Sequence, residues 1–439
     1  MKESKTMNKF LSLLVVSLLF SGMLPAQGFR DVYNYPTQNT MMGGIGITWI
    51  DDQPYTTLTL APEFSLGKFG VGIYLQLLMD NENNFKLRQD EFKDGAGYLR
   101  AIRYVRFGHK YDPFYVRAGT LILSSLANGF LMWNYTNASN YDKRKWGLAF
   151  DVDLGKVGFE SVVNNLGRLE LVGGNLYLRP FRFVNPDMIL LKNLRFYGTY
   201  VFDNEFASWE QPGEFKKLNA WGVGADLVFI DLPVFKSGVY YDYGKFNDFG
   251  SGQAVGINAI FPEFIGLFGL SAKFEKRWNG EQFIPSFFGP LYERDREIDP
   301  FDFEQSAILA LQNSRKSEGY FGQLAGHIIN KVRLIGNFQR LNGIPKSGIM
   351  HLEALAPDLI PRFELSAFYD KRGIDTFKDA RTLDNQSLLA VDVGYRLNFF
   401  LVVSTVYYWY WVKEVDEFGN VEYRPVERIE PRISISYRF

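Results

Sequence analysis

The sequence predicts an all-β fold: one transmembrane, antiparallel up-and-down β-barrel of about 20 strands, within a range of 16–20. Three observations predict it. Segments of about ten residues alternate apolar and polar side chains along the chain. Short and long links alternate between these segments. The chain also stops inside such a segment, at RISISYRF (432–439). There Ile433, Ile435, Tyr437 and Phe439 share one face, and Arg432, Ser434, Ser436 and Arg438 share the other. A period of two is the strand period.

The first element is not a strand. MKESKTMNK carries Lys2, Lys5 and Lys9, followed by the apolar run 10–20 and then SGMLPAQG. That order matches a secretory signal peptide, assigned to residues 1–26 with cleavage near Ala26. The apolar run, 11 residues long, is too short to span about 30 Å of hydrocarbon. No later run reaches the roughly 18 residues of a spanning helix. Without such helices, only a closed barrel can cross hydrocarbon, because every backbone N–H and C=O must be paired there. Residues 27–41 then read as a periplasmic N-terminal segment and 42–439 as a single barrel with a long loop at 278–318.

Candidate strands follow near 42–50, 54–64, 69–79, 96–107, 113–122, 144–154, 157–163, 169–179, 193–203 and 218–230. They continue near 233–243, 252–261, 264–277, 319–329, 332–341, 348–356, 362–370, 386–397, 399–412 and 422–439. KWGLAFDVDL (145–154) sets Trp146, Leu148, Phe150 and Val152 against Gly147, Ala149, Asp151 and Asp153. AWGVGADLVFI (220–230) sets Trp221, Val223 and Phe229 against Gly222, Gly224 and Asp226. LFGLSAKFEKR (267–277) sets Phe268, Leu270 and Phe274 against Ser271, Lys273, Glu275 and Arg277. The apolar faces are expected to meet lipid.

Short links are read at Gly155-Lys156, Asp231-Leu232, Pro262-Glu263, Asn330-Lys331 and Asn398, and long ones at 80–95, 123–143, 204–217, 278–318 and 371–385. The link 180–192 is long where a short one is due. Short turns on one rim and long loops on the other characterise outer-membrane barrels. Because the long links follow odd-numbered strands, both ends of the barrel fall on the short-link rim. VYYWYWV (406–412) and VYYDYG (239–244) resemble the aromatic girdles of the same class.

On these features the chain resembles Gram-negative outer-membrane β-barrel proteins of the porin-like class. The resemblance implies a place in the cell outer membrane, contact with its lipid, and insertion by the barrel-insertion machinery. In that class the last strand commonly ends in an aromatic residue that serves as an assembly signal; Phe439 matches, with Tyr437 as its alternating partner.

Composition narrows the function. Lys and Arg number 48 against 49 Asp and Glu, so there is no basic excess for nucleic acid. There is no cysteine, which excludes disulfides, thiolate metal sites and a lipidated Cys. No catalytic, cofactor or metal motif is present, and no cofactor is expected. His109 falls in a turn, while His327 and His351 fall on strands with polar faces. The triplets at Asn134 and Asn137 have the N-x-[ST] spacing and read as chance matches.

The polar faces are the functional candidates. Arg100, Arg106, Asp151, Asp226, Lys273, Glu275 and Arg277 are expected to line the lumen, as are His327, His351, Glu353, Asp392, Arg396, Arg428, Glu430 and Arg432. Loop 278–318 is the expected constriction, with Glu293, Asp295, Glu297 and Asp299 as its acidic group. A helix capped by Asp299, with Pro300 at its first position and Ile308, Leu309 and Leu311 on one side, is expected within it. These features point to a porin-like channel for passive passage of small hydrophilic solutes, not an enzyme. The alternatives are a secretion- or assembly-associated barrel, an adhesive barrel and, last, an outer-membrane hydrolase. A homo-oligomer is compatible with all of them.

Overall fold

The computed structural model describes residues 40–50, 53–80, 86–87, 101–110, 112–137, 145–207, 215–264, 267–290, 292–296, 307–329, 332–357, 359–384, 386–415 and 421–438. The signal-peptide assignment, Arg100, Glu297, Asp299, Pro300 and Phe439 lie outside them. No described helix is long and apolar enough to cross a membrane.

The strands are β1 (Thr40–Ile50), β2 (Gln53–Leu60), β3 (Glu63–Leu66), β4 (Phe69–Ile73), β5 (Leu75–Asp80), β6 (Lys86–Leu87), β7 (Ile102–Phe107) and β8 (Phe114–Gly119). Next come β9 (Gly147–Asp153), β10 (Val157–Val163), β11 (Leu171–Leu178), β12 (Leu194–Ala207), β13 (Phe215–Leu232), β14 (Phe235–Phe246), β15 (Ser251–Phe264) and β16 (Phe268–Asn279). The last are β17 (Ser317–Ile328), β18 (Val332–Leu341), β19 (Gly348–Pro357), β20 (Phe363–Ile374), β21 (Ser387–Arg396), β22 (Leu401–Val415) and β23 (Val421–Arg438).

All 23 form one antiparallel sheet. β2 and β3 are two pieces of one stave, as are β4 and β5: β1 pairs with both β2 and β3, β2 with β5, and β3 with β4. β6 pairs with β5, on the side where β7 pairs with β4, and so counts with the stave of β7. Counted as staves, the ring therefore has the 20 members read from the sequence. β23 pairs with β1 from Thr40↔Arg438 to Gly46↔Arg432. The final strand closes the ring and leaves neither edge open there.

Several boundaries differ from the sequence reading. β13 runs through Asp231-Leu232 and β15 through Pro262-Glu263, so these strands end later than expected, at Leu232 and Phe264. In both strands a register shift, at Val228/Ile230 and at Phe261/Phe264, lets pairing continue past the expected stop. Likewise the long link at 204–217 contracts to 208–214. The link after β11 holds a one-turn helix (Phe181–Val184) and a 3₁₀ turn (Leu191–Asn193) where a short turn was due.

Burial follows the alternation in an inside-out sense. Along β9 the buried residues are Gly147, Ala149 and Asp151, while along β16 they include Glu275 and Arg277. Leu176, Val223, Val255, Phe274, Leu324 and Ile435 are exposed on the opposite faces. A water-soluble sheet sandwich buries its apolar faces instead.

Tyrosines laid over glycines tighten the inner wall. Tyr104, Tyr177, Tyr197 and Tyr240 each cover the glycine paired directly across from them, namely Gly72, Gly158, Gly224 and Gly256. Only a residue without Cβ leaves room for the ring. Two hydroxyls then reach carboxylates one stave further on: Tyr197 donates to Asp242 (2.6 Å) and Tyr240 to Glu275 (2.8 Å).

Candidate functional site

The residues between β8 and β9 do not stay outside the ring. Leu121 to Asn137 turn inward and lie against the wall. The would-be Cβ of Gly173 stands 2.7 Å from Leu126 Cδ1, and that of Gly244 stands 2.9 Å from Leu131 Cδ2. Polar contacts fix the tip. Ala127 N donates to Glu160 (2.9 Å), Asn128 Nδ2 donates to the Tyr197 hydroxyl (2.8 Å), and Lys273 Nζ donates to the Asn128 carbonyl (2.5 Å). Lys273 also sits over the Trp133 ring, 4.3 Å from its centroid. At the neck, the buried Asn137 side chain accepts from Leu121 N and donates to the carbonyls of Gly119, Lys145 and Asn164. Asn134 and Asn137 are both buried, which bars a glycan at either.

A second segment, Gly280–Arg296, packs on the first. Ser286 N donates to Phe130 O (2.6 Å), Phe288 N to Leu131 O (3.2 Å) and Trp133 N to Phe288 O (3.1 Å). Met132 and Phe288 form a parallel bridge. The helix Ala307–Asn313 adds Ile308 and Leu311. Together with Leu126, Leu131, Phe283 and Tyr292, and with Val201, Phe206, Leu218 and Phe246 of the wall, they form one apolar cluster. Of the nine non-glycine residues with positive φ among the described residues, five lie in these two segments: Leu123, Ala127, Asn134, Gln282 and Ser286. Such backbone is retained only where surrounding contacts over-determine it.

Glu293 and Arg296 anchor the second segment. Glu293 pairs with Lys145 (2.7 Å), accepts from Asn164 (3.0 Å) and from the Tyr135 hydroxyl, and lies 3.6 Å from Arg296. Arg296 reaches Asp203 (3.3 Å) and Glu170 (3.5 Å), and Lys145 also pairs with Glu170. The Tyr292 hydroxyl donates to Asp203 (2.8 Å). Burying one of these charges alone would cost several kcal/mol; here two cations offset most of the charge of three carboxylates, and the exposed Arg168 approaches Glu170 at 3.7 Å.

The site therefore lies inside a ring whose outer face is apolar and whose inner face carries the charge. Hydrocarbon outside and polar groups inside is the arrangement that a membrane demands of strands. The fold is that of an outer-membrane β-barrel.

No protein-family model matches the chain, and no curated protein matches it. Solved structures similar to it include a BenF-like porin from Pseudomonas fluorescens Pf-5, at 11% identity and TM-score 0.36, covering 92% of this chain and 98% of that one. Another is Pseudomonas aeruginosa OccK2 (OpdF) in complex with glucuronate, at 9% identity and TM-score 0.37, covering 92% and 96%. A third is CdiB from Acinetobacter baumannii, at 8% identity and TM-score 0.29; the match covers 92% of this chain and 60% of the length of that one.

Within the barrel, Lys273, Glu275 and Arg277 come together. Glu275 pairs with Lys273 (2.6 Å) and Arg277 (2.5 Å), and Arg277 continues to Gln339 (2.7 Å). Asp151 pairs with Lys110 (2.7 Å) and Asp226 with Arg195 (2.6 Å). Arg106 is buried and donates to the Lys68 and Gly108 carbonyls and to Ser65. Across the ring, His351 meets Asp370 (2.7 Å) and Glu353 (3.8 Å), and Arg396 pairs with Glu364. His327 is buried on β17. Asp392 and Arg432 stand on β21 and β23, on either side of β22. Arg428, Glu430 and Tyr437 lie within β23, and Asp295 ends the short helix Tyr292–Asp295.

Sequence reasoning missed the segment 121–137 as part of the site. Its signal was present in LILSSLANGFLMWNY (121–135), which is too apolar for a solvated loop, and in glycines on the inward faces of β11, β13 and β14.

Proposed function

We propose that the protein is an outer-membrane channel for the passive passage of small hydrophilic solutes, with a bore set by two inward-folded segments, 121–137 and the described parts of the second (280–290, 292–296 and 307–313). The observation that carries this reading is the anchored pair of loops on the polar inner wall, joined to it through Asn128, Glu160, Lys273 and Glu293. Barrels of 16–18 strands leave an aqueous channel and those of 22 enclose a plug. A ring of 20 staves needs narrowing between those extremes, and segments packed along β9 to β17 supply it. The remaining arc, from β18 through β23 to β7, carries His351, Glu353, Asp392, Arg396 and Arg432 as proposed lumen-lining residues.

Mixed charge on that arc suits neutral and zwitterionic polar solutes better than strongly charged ones, because no single sign dominates the field. Planar-bilayer recording of the purified barrel tests the proposal. Stable single-channel steps, with flux of small sugars or amino acids into loaded vesicles, are expected. A barrel that inserts and passes neither ions nor solutes would point to the adhesive or secretion-associated alternatives.

A further inference from the structure

Residues 179–193 join β11 to β12 on the rim of short links. The other links on this rim have two to six residues, and this one has 15. Its sequence, RPFRFVNPDMILLKN, is apolar with basic ends. Phe183, Val184 and Ile189 are 58%, 79% and 89% exposed, and Leu190 and Leu191 are exposed beside them. In a soluble setting, that much uncovered apolar surface on one short link would be costly, about 25 cal/mol for each Å².

The patch is continuous with the outer face of the barrel. Leu154, Val157, Leu176 and Leu178, on β10, β11 and the turn before β10, are exposed on the face that looks away from the interior. The turn at Gly155-Lys156 is tied directly to the link, since Arg182 Nη1 donates to the Gly155 carbonyl (3.0 Å) and Arg182 Nε to the Lys192 carbonyl (3.0 Å). Lys156 lies 5.0 Å from the Phe183 ring centroid.

The charges are one-sided. Arg179 is neutralised by Asp153 (2.8 Å) and Arg195 by Asp226 (2.6 Å). Lys156, Arg182 and Lys192 have no carboxylate within ion-pair distance among the described residues, and Asp187 is the one acid in the link. The nearby Asp231 pairs with Lys236 (3.1 Å). Three cations thus frame an apolar patch at the level where the lipid-facing band ends.

We infer that this link is an interfacial anchor: Phe183, Val184, Ile189 and Leu190 enter the hydrocarbon edge of the adjoining leaflet, and Lys156, Arg182 and Lys192 bind anionic phospholipid headgroups. An apolar face flanked by Lys and Arg is the composition that lies in a membrane interface, and anionic lipid strengthens it through each added cation. A soluble protein partner is the competing occupant. Continuity with the lipid band and the cationic frame favour lipid.

The chain has no cysteine, so single labels are clean. Ile189→Cys and Phe183→Cys, spin-labelled and reconstituted in phosphatidylcholine vesicles with or without phosphatidylglycerol, report oxygen and nickel-chelate accessibility. Oxygen-accessible, chelate-protected labels, deeper when phosphatidylglycerol is present, are expected. Native mass spectrometry of the barrel in mixed-lipid nanodiscs should show retained phosphatidylglycerol. Enrichment should fall by roughly fivefold for each charge removed in Lys156→Gln/Lys192→Gln, a pair that leaves the Arg182 hydrogen bonds intact. Labels freely accessible to the chelate in both lipids would overturn the anchor and leave the patch to a soluble partner. Unchanged phosphatidylglycerol retention in the double variant would overturn the headgroup assignment.

Discussion

Leu131 occupies the space that a side chain at Gly244 would need. A Cβ there would stand 2.9 Å from Leu131 Cδ2 and 3.2 Å from two atoms of the Phe130 ring, with no backbone among its nearest contacts. The wall is therefore bare at the point where the first inserted segment rests on it. Gly244 belongs to β14, whose ladders to β13 and β15 do not depend on the segment.

Gly244→Val should push the segment off the wall while the barrel still closes. Overpacking of this kind costs about 1–3 kcal/mol, borne by the segment because it is the movable partner. Conductance should rise or become noisy, with heat-modifiable gel mobility of the barrel unchanged. Conductance identical to wild type would mean that the segment does not limit the bore.

Arg296→Ala should release the second segment. It takes the cation from Asp203 and leaves Glu170 and Glu293 to share Lys145; all three are buried, and breaking one partner out of a buried charge group costs about 3–5 kcal/mol. Hydrogen exchange at the Trp133 and Phe288 amides, which are bonded across the two segments, should accelerate. Arg340→Ala is the control. Arg340 is 45% exposed and pairs with Asp375 at the surface (3.5 Å), a contact worth about 0–1 kcal/mol.

The same anchor sets a pH window. Burial would raise the Glu170 carboxyl, but the hydrogen bond and charge of Lys145, with Asn165 and Arg296, outweigh it and hold it below 4.5. A depressed carboxyl contributes stability that is present above its unfolded value and lost as pH falls through the folded one. Burial, then the charge of Glu293, pushes the Tyr135 hydroxyl well above 10, and burial with Asp203 does the same for Tyr292. Their contribution is present below 10 and lost as pH rises through the folded values. Single-channel conductance should be flat across roughly pH 5 to 9 and increase on either side. A transition near neutral pH would assign the gate to other groups.

The ring was legible in the sequence because its cause is local. A side-chain period of two, with short turns, fixes which residues face out, and Arg432 and Ile433 reveal the closing strand without reference to any partner. Turn positions slipped by two residues or so where bulges let β13 and β15 run on. The inserted segments were legible only in part. The apolar residues Ile308 and Leu311 do form the buried side of a helix. Glu293 looked like a free acid at the pore, yet it is bound by Lys145, 148 residues away in sequence. Pairing over that separation leaves no local trace. Of the other acids read as a constriction, Glu297 and Asp299 lie outside the described residues.

Replacing 281–312 by a short Gly-Ser linker should raise conductance and leave the first segment partly in place. That segment keeps its own ties to the wall, through Ala127 to Glu160, Asn128 to Tyr197, and Asn137 to three carbonyls. It loses the bonds from Ser286 and Phe288 and the cover of Phe283. Trimming 122–136 in the same chain should therefore give a second increase, larger than either trim alone would suggest, because the two segments share one apolar cluster and their effects do not add. Selectivity should shift as well. Within 281–304, Glu293 and Arg296 cancel each other in the anchor, which leaves six acidic residues against Arg294. Cation preference should be greatest at low salt, where the screening length reaches about 30 Å, and should fall with the linker variant. If both trims leave conductance and selectivity where they were, the solute path runs wholly along the arc of β18 to β23, and the two segments brace the opposite wall without setting the bore.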